Sequence, residues 1–322
     1  MILITGATGR IGNHLTKTLL EQGEKIRIFS RTEKSKSLEN LNVQLFRGDI
    51  TIFKDIESAL EGVDEVFHLA GYINISNRDR ELTYDINIGG TTQLAKLCNL
   101  KNINLYYTSS IHAFIPPGDG SVITENTPLS LNESKSRGIY DYSKAMGTTN
   151  VLKEIQNGLK AVIFFPTGVI GPYDFGPSLF GKGMISLIHS NYASSIDGQY
   201  DYVDVRDVVE AMLTARKLEK FGQTYILSGN VMHMKEYVSY LKEVTNIHSK
   251  TFIYPRLSAI IFSYIKNFFD KHSEFTPYTI DTLNSNCNIS HEKATSELNY
   301  NPRLPKESIN DQYIWFRDNG YL

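Results

Sequence analysis

Short apolar, β-branched runs recur through the first half of the chain, at Ile2–Ile4, Lys25–Phe29, Val43–Phe46, Glu65–Leu69, Asn104–Thr108 and Ala161–Phe165. Each is too short for a helix and reads as a buried strand. Helical patterns fill the intervals, at about 10–22, 51–61, 80–100 and 139–157. Alternation of this kind predicts a parallel sheet covered by helices on both faces. Right-handed crossovers then leave an α/β fold, a doubly wound parallel Rossmann sheet with a smaller C-terminal substrate lobe.

The second half has a different texture. Residues from Pro166 to Gly183 are rich in Gly and Pro and predict a long loop. A strand–helix pair at 200–218, a strand at 223–227 and helices at about 234–246 and 304–319 follow. The expected division puts 1–170 and 199–227 in a dinucleotide-binding Rossmann part, and 171–198 and 228–322 in a substrate-binding lobe. Leu257, Ile260, Ile261, Tyr264, Ile265, Phe268 and Phe269 fall on a helical stripe. The run is too short to span a bilayer. It predicts a core or pocket helix, with membrane-surface contact as the alternative.

Composition narrows the class. Of 322 residues 41% are apolar and 21% charged, enough for a sizeable core and too many apolar positions for a disordered chain. Thirty-three basic residues stand against 35 acidic ones, so charge gives no reason to expect nucleic acid as a partner. Cys98 and Cys287 form no CxxC and read as buried free thiols. The eight histidines form no HExxH or HxxxH, so no metal site is expected. The chain opens on a strand with no integral membrane segment and no export signal, which predicts a cytoplasmic protein.

Candidate chemistry begins after the first strand, at Thr5-Gly6-Ala7-Thr8-Gly9-Arg10-Ile11-Gly12. Glycines three apart allow a tight turn, close approach of a pyrophosphate and close packing of the following helix. The helix N-terminus adds free N–H groups and partial positive charge for the phosphates. Gly6, Thr8, Gly9, Arg10 and Ile11 are therefore candidate cofactor contacts. The second strand ends Ser30-Arg31-Thr32, where a carboxylate would bind the ribose diol of NAD. Arg31 instead suits a 2′-phosphate, with Arg10, Lys34 and Lys36 adding charge nearby, so NADP(H) is favoured over NAD(H). Asp49 and Ile50 close the third strand, a carboxylate there being able to accept from the adenine amino group. Leu69, Ala70 and Gly71 close the fourth, with small residues for the cofactor to lie along.

Tyr140 and Lys144 form a Tyr-x-x-x-Lys pair, and nineteen tyrosines with twenty-one lysines would give about one such pair by chance. Position separates this one from chance. It lies on a predicted helix after the fifth strand, and i, i+4 spacing places both side chains on one face. Tyr142 points elsewhere. An ammonium beside Tyr140 would pull its phenol pKa down, suiting the phenol to exchange a proton with an oxygen gaining or losing hydride. Ser110, past the end of the fifth strand, would hydrogen-bond that oxygen.

Taken in order, the Gly-rich turn, Asp49-Ile50, His68-Leu69-Ala70, Asn87-Ile88-Gly89-Gly90-Thr91, Ser110 and Tyr140/Lys144 resemble the extended short-chain dehydrogenase/reductase family, also called NAD-dependent epimerase/dehydratase proteins. The resemblance continues through Pro166–Pro172, Tyr202–Val208, Tyr225–Gly229 and Trp315-Phe316, nearly the whole chain. Pro166–Pro172 with Asp174 and Pro177-Ser178 look most like the dihydroflavonol-reductase branch. The resemblance implies that Pro166, Gly168 and Val169 flank the nicotinamide. It also implies that His112, Phe175 and Ser178 touch substrate, and that helices 80–100 and 139–157 form a homodimer contact. Val151, Leu152 and Ile155 would continue an apolar edge there. Two departures limit the substrate. Ile111-His112 replace the Asp-Glu that dehydratases of this family carry after the catalytic Thr, and Phe164–Thr167 lacks the run usual in nucleotide-sugar epimerases. The reading is an NADP(H)-dependent reductase of a carbonyl on a small or medium organic substrate. The alternatives are a nucleotide-sugar epimerase with tightly bound NAD and a non-catalytic dinucleotide sensor.

Overall fold

The computed structural model describes residues 1–322 apart from 33–34, 75–77, 134–137, 191, 247–249, 270–274, 284 and 286, and without the side chains of 192–194 and 267–269. Twelve strands are described: β1 (Ile2–Thr5), β2 (Ile26–Ser30), β3 (Gln44–Arg47), β4 (Glu65–His68), β5 (Asn104–Thr108), β6 (Ala161–Pro166), β7 (Gly168–Ile170), β8 (Tyr192–Ile196), β9 (Gln199–Asp204), β10 (Thr224–Leu227), β11 (Asn230–His233) and β12 (Lys250–Tyr254). The helices are α1 (Arg10–Glu21), α2 (Phe53–Ala59), α3 (Arg80–Tyr84), α4 (Thr91–Leu100), α5 (Ile139–Gln156), α6 (Leu179–His189), α7 (Val205–Lys217), α8 (Met234–Thr245), α9 (Arg256–Phe269), α10 (Pro277–Thr282), α11 (Glu292–Leu298) and α12 (Pro305–Asp318).

Seven strands form one parallel sheet in the order β10-β6-β5-β4-β1-β2-β3. All six strands expected in the first half are present, within two residues of the expected bounds. Their side chains alternate between two cores. Leu3, Val66, Leu105, Tyr107, Ile163 and Phe165 meet α2, α4 and α5 on one face. Ile2, Ile4, Phe67, Tyr106, Val162 and Phe164 meet α1, α7 and α11 on the other. Near-continuous apolar strands are what burial on both faces requires. The strand order reverses between β1 and β4, and a crevice opens at the carboxyl ends of such neighbours.

A second sheet, β11-β9-β7, carries a separate cluster of Ile170, Met184, Tyr200, Tyr202, Tyr237 and Phe316. Its strands β7 and β9 lie within residues expected to belong to the Rossmann part. The loop expected over Pro166–Gly183 is shorter than predicted. Gly168–Ile170 pairs in parallel with Tyr202–Asp204, and Ser178 caps α6 by accepting from the Gly181 N–H. Local composition hid β7 because its partner strand lies more than thirty residues on.

Three further expectations change. The 80–100 helix is interrupted by a π-helical turn over Asp85–Gly90. Val151 is buried, and Leu152 and Ile155, partly buried, pack against the same core, so this edge leans on the sheet. The 257–269 stripe is a helix but not a core helix. Leu257, Ile261, Tyr264 and Ile265 are all more than half exposed, while the small Ala259 and Ser263 face inward. Both cysteines are free and buried, as expected. The segment between β5 and α5 stitches lobe to sheet, for Ile123 bridges Ile289 and Glu125 accepts from the Ile226 N–H on the edge strand β10.

Candidate active site

The Gly-rich turn is shaped by two close approaches. Gly6 has φ +72°, and a Cβ there would stand 2.6 Å from Ala70 N and Leu69 C. A Cβ on Gly12 would lie 2.3 Å from Gly6 O, so only glycine lets α1 pack this tightly on the turn. Gly9 is the N-cap of α1 and supplies no side-chain acceptor, and the first turn carries no acid. The helix thus offers its first N–H groups and its positive end to an anion.

The crevice beside it is lined by Thr5 to Gly9, Phe29 to Arg31, Gly48 to Ile50, Leu69 to Tyr72 and Ile86. Gly6, Thr8, Gly9, Arg31, Asp49, Ile50, Leu69, Ala70 and Gly71 therefore come together as expected. This set fits a dinucleotide: an uncapped helix N-terminus for phosphates, with an exposed cation and a carboxylate at the other strand ends. Asp49 Oδ1 already accepts from the N–H and hydroxyl of Thr51, which holds the turn after β3. His68 lies behind the crevice floor, 2.8 Å from Thr5 Oγ1 and 2.9 Å from Thr91 Oγ1. Burial, aided by Lys144, lowers its pKa to about 3, so the ring stays neutral.

That shift has a measurable consequence. An unfolded histidine binds a proton near pH 6.5 and the folded one only near 3. Below about 6.5 the unfolded state takes up more protons, so stability falls as pH falls, by about 1.4 kcal/mol per unit. Half-buried His14, lowered to about 4 mainly by burial, acts in the same window. Urea unfolding between about pH 7 and pH 5 should show this loss, and His68→Asn should flatten the slope. An unchanged slope in that variant would remove His68 from the effect.

Arg10 departs from expectation. Its guanidinium is buried in an ion pair with Asp174 and donates to Val169 O and to Ser178 Oγ. It braces α1 against the 169–178 segment and adds no charge beside Arg31. Lys36 is also diverted, donating to Asn319 O at 3.1 Å and standing over the Tyr321 ring. Lys34 and Glu33, another charge beside Arg31, lie outside the described residues. Ile11 packs its side chain into the core, leaving only backbone for a ligand. Ser178 is spent as the α6 cap and as a donor to Asp174. Phe175 packs edge-on against Trp315 with Lys17 nearby. Phe175 and Ser178 are thus tied to the C-terminal helix α12 and to the Arg10–Asp174 pair. Pro166, Gly168 and Val169 lie beyond the crevice lining, where Gly168 backs onto the rings of Tyr200 and Tyr202.

Lys144 and Tyr140 do share one face of α5. The buried Lys144 ammonium donates to Thr108 O at 2.9 Å and lies 5.0 Å from the centre of the Tyr107 ring. A Cβ on Gly71 would stand 3.8 Å from that ammonium, so it sits at the end of the crevice. Burial lowers its pKa to about 7. Burial raises the Tyr140 phenol to about 12, with Ser110, whose hydroxyl accepts from the His112 N–H at 3.2 Å, acting in the opposite direction. The downward pull was expected from Lys144, but the groups that act on the phenol are its buried surroundings and Asp141, which raise it, and Ser110, which lowers it. Tyr142 turns away, onto Tyr84.

Several residues escaped the sequence reading. Asn87, on the π-helical turn, donates to Ser143 Oγ at 2.9 Å and to Tyr72 O, and accepts from the Tyr72 N–H. It clamps the crevice wall to α5, and its Asn-Ile-Gly-Gly-Thr setting was the available signal. His112, which the resemblance had marked as a substrate contact, stands 5.7 Å from the Tyr140 ring, 3.1 Å from the buried Asp141 carboxylate and 2.9 Å from the Tyr200 hydroxyl. Tyr278 of α10 donates to the same Asp141. Nothing in the sequence marked Tyr200 or Tyr278.

A switch-point crevice of this kind defines a dinucleotide-binding α/β protein, and relatives named below make it an NAD(P)-dependent oxidoreductase. The chain belongs to the NAD dependent epimerase/dehydratase family, whose model matches residues 2–227. It is 30% identical to Sterol demethylase protein B of Methylococcus capsulatus over 99% of both chains. It is 26% identical to a putative dihydroflavonol 4-reductase of Synechocystis, over 99% of this chain and 95% of that one. The crystal structure of gox2253 superposes with a TM-score of 0.85 at 26% identity, covering 100% of this chain and 99% of the other. The expected family resemblance is borne out.

Proposed function

We propose that this protein is an NADP(H)-dependent oxidoreductase that reduces a carbonyl on a small or medium, largely apolar organic substrate. The observation that carries this reading is the placing of Tyr140 on the same face of α5 as a buried Lys144 ammonium that ends the crevice, with Ser110 following the neighbouring strand β5. Bound there, the nicotinamide supplies the hydride. Tyr140 delivers the proton to the carbonyl oxygen, Ser110 donates a second hydrogen bond to it, and Lys144 holds the cofactor's ribose. His112, with Asp141, Tyr200 and Tyr278, walls the substrate side. The likeness to Sterol demethylase protein B favours the polycyclic end of the substrate range. A screen of ketones, aldehydes, sterols and sugar nucleotides that follows NADPH absorbance tests the reading. Net oxidation of NADPH by a ketone supports it. Turnover of a sugar nucleotide with no net cofactor change would make the protein an epimerase, and binding of cofactor without turnover of any class would make it a sensor.

NADP over NAD rests on Arg31, exposed at the crevice rim after Ser30. Charge-assisted bonds of about 1.5–3 kcal/mol correspond to a preference of roughly tenfold to a hundredfold. Titration of NADPH and NADH against wild type and Arg31→Ala should show that preference and its loss. Equal wild-type affinities would end it. The proposed homodimer rests on family resemblance, and light scattering that gives a 36.5 kDa particle at micromolar concentration would exclude it.

A further inference from the structure

Helix α9 is turned inside out. Its inward positions are the small Ala259 and Ser263 with half-buried Ile260, while Leu257, Ile261, Phe262, Tyr264 and Ile265 are 52–71% exposed. Leu257, Ile261, Tyr264 and Ile265 follow i, i+4, i+7, i+8 spacing and form one outward stripe. Phe252 and Tyr254, at alternate positions of β12, are also about half exposed. Large apolar residues scattered singly need no explanation, but seven within the fourteen residues 252–265 make a patch that does.

We propose that this patch docks on the surface of an anionic phospholipid bilayer. Two observations select that occupant. The charge of the segment has one sign: Lys250, Arg256 and Lys266 stand in 244–269, which contains no Asp or Glu. Arg256 is partly engaged by Asp281, so the two lysines carry most of the attraction. A second copy of the chain is a poor fit, because a two-fold contact through this patch would set its lysines against each other, while Asp281 is already engaged by Arg256. The helix is also the wrong length to cross. Fourteen residues span about 21 Å, short of the roughly 30 Å hydrocarbon layer, so the helix lies in the interface plane. The aromatic residues Phe252, Tyr254, Phe262 and Tyr264 suit the headgroup boundary.

Docking there would bring the site to the lipid. α9 packs on α10, whose Tyr278 hydrogen-bonds Asp141 next to Tyr140. An apolar substrate dissolved in the bilayer would then meet the pocket wall without crossing water. Vesicle binding itself requires no turnover, so it is tested apart from the reaction proposed above.

The experiment is co-sedimentation of the full-length protein with phosphatidylcholine–phosphatidylglycerol vesicles and with pure phosphatidylcholine vesicles. Wild type should pellet with the anionic vesicles, more weakly at high salt and with the neutral ones. Leu257→Ser/Ile261→Ser/Ile265→Ser should lose roughly a hundredfold in partitioning while its Tm stays near wild type, since the three side chains are exposed. Lys250→Ala/Lys266→Ala should lose roughly tenfold on anionic vesicles and little on neutral ones, and cannot fail through core damage. Wild-type protein that stays in the supernatant with both vesicles overturns the proposal. So does a triple variant that still pellets, or a wild-type dimer that the triple substitution splits into monomers.

Discussion

Replacing Tyr140 with Phe should lower kcat by a factor on the order of 10² to 10⁴ while leaving cofactor affinity nearly unchanged. The ring, half-buried beside His112, keeps its packing; only the hydroxyl is lost. Because that hydroxyl acts on charge that develops during reaction, the loss falls on kcat. The pH dependence should be asymmetric. With its pKa held up near 12, the phenol is protonated throughout the neutral range, so carbonyl reduction should show no Tyr140 titration there. Alcohol oxidation, which needs the phenol to give up its proton first, should rise with pH across the alkaline range. Steady-state kinetics in both directions check this, with cofactor binding followed by fluorescence. Wild-type turnover by the Phe variant would remove Tyr140 from the proton step.

Asp174→Asn should cost about 3–5 kcal/mol of folding stability, the usual penalty for leaving a buried charge without its partner. Arg10 and Asp174 are both buried to within a few per cent, and burial already works against the guanidinium, with Asp174 opposing that effect. The carboxylate also accepts from the Ser178 N–H and hydroxyl, so its neutralisation loosens the cap of α6 as well. Urea unfolding of the variant against wild type measures the cost. Arg10→Met/Asp174→Leu should recover most of it, because two apolar residues remove both charges together. A near-neutral Asp174→Asn would mean that the pair is hydrated in solution. Because Arg10 also donates to Val169 O, the same variant should disturb the segment expected beside the nicotinamide and raise KM for the cofactor.

The central sheet and the crevice were open to reading from sequence for a common reason: both depend on short-range rules. Apolar runs of four to six residues between helical patterns fix strand after strand, and the crevice is built from residues that end consecutive strands. The Gly-rich turn works through backbone sterics among neighbours in sequence, as the close approach of Gly12 to Gly6 shows. Tyr140 and Lys144 share a face because i, i+4 spacing requires it. None of these depends on what a distant segment does.

The fate of charged and apolar side chains was different. Arg10 sits in the phosphate-binding motif, yet Asp174, more than 160 residues away, takes its charge. Ser178 and Phe175, which the family resemblance offers as substrate contacts, are held by the cap of α6 and by Trp315. The sequence predicted a phenol lowered by its lysine, and the density of protein around it raised that phenol instead.

By itself, then, the sequence determined a doubly wound sheet, its switch-point crevice, the family and the sharing of one helix face by Tyr140 and Lys144, because periodicity, glycine sterics and helical spacing act within a few residues. Tertiary structure alone decided which cation faces the crevice, the wall that Tyr278 builds against Asp141 from 137 residues away, and the outward turn of α9. A stripe of apolar residues states that a helix has a greasy face; only the packing of its small residues against the fold settles whether that face is turned in or out.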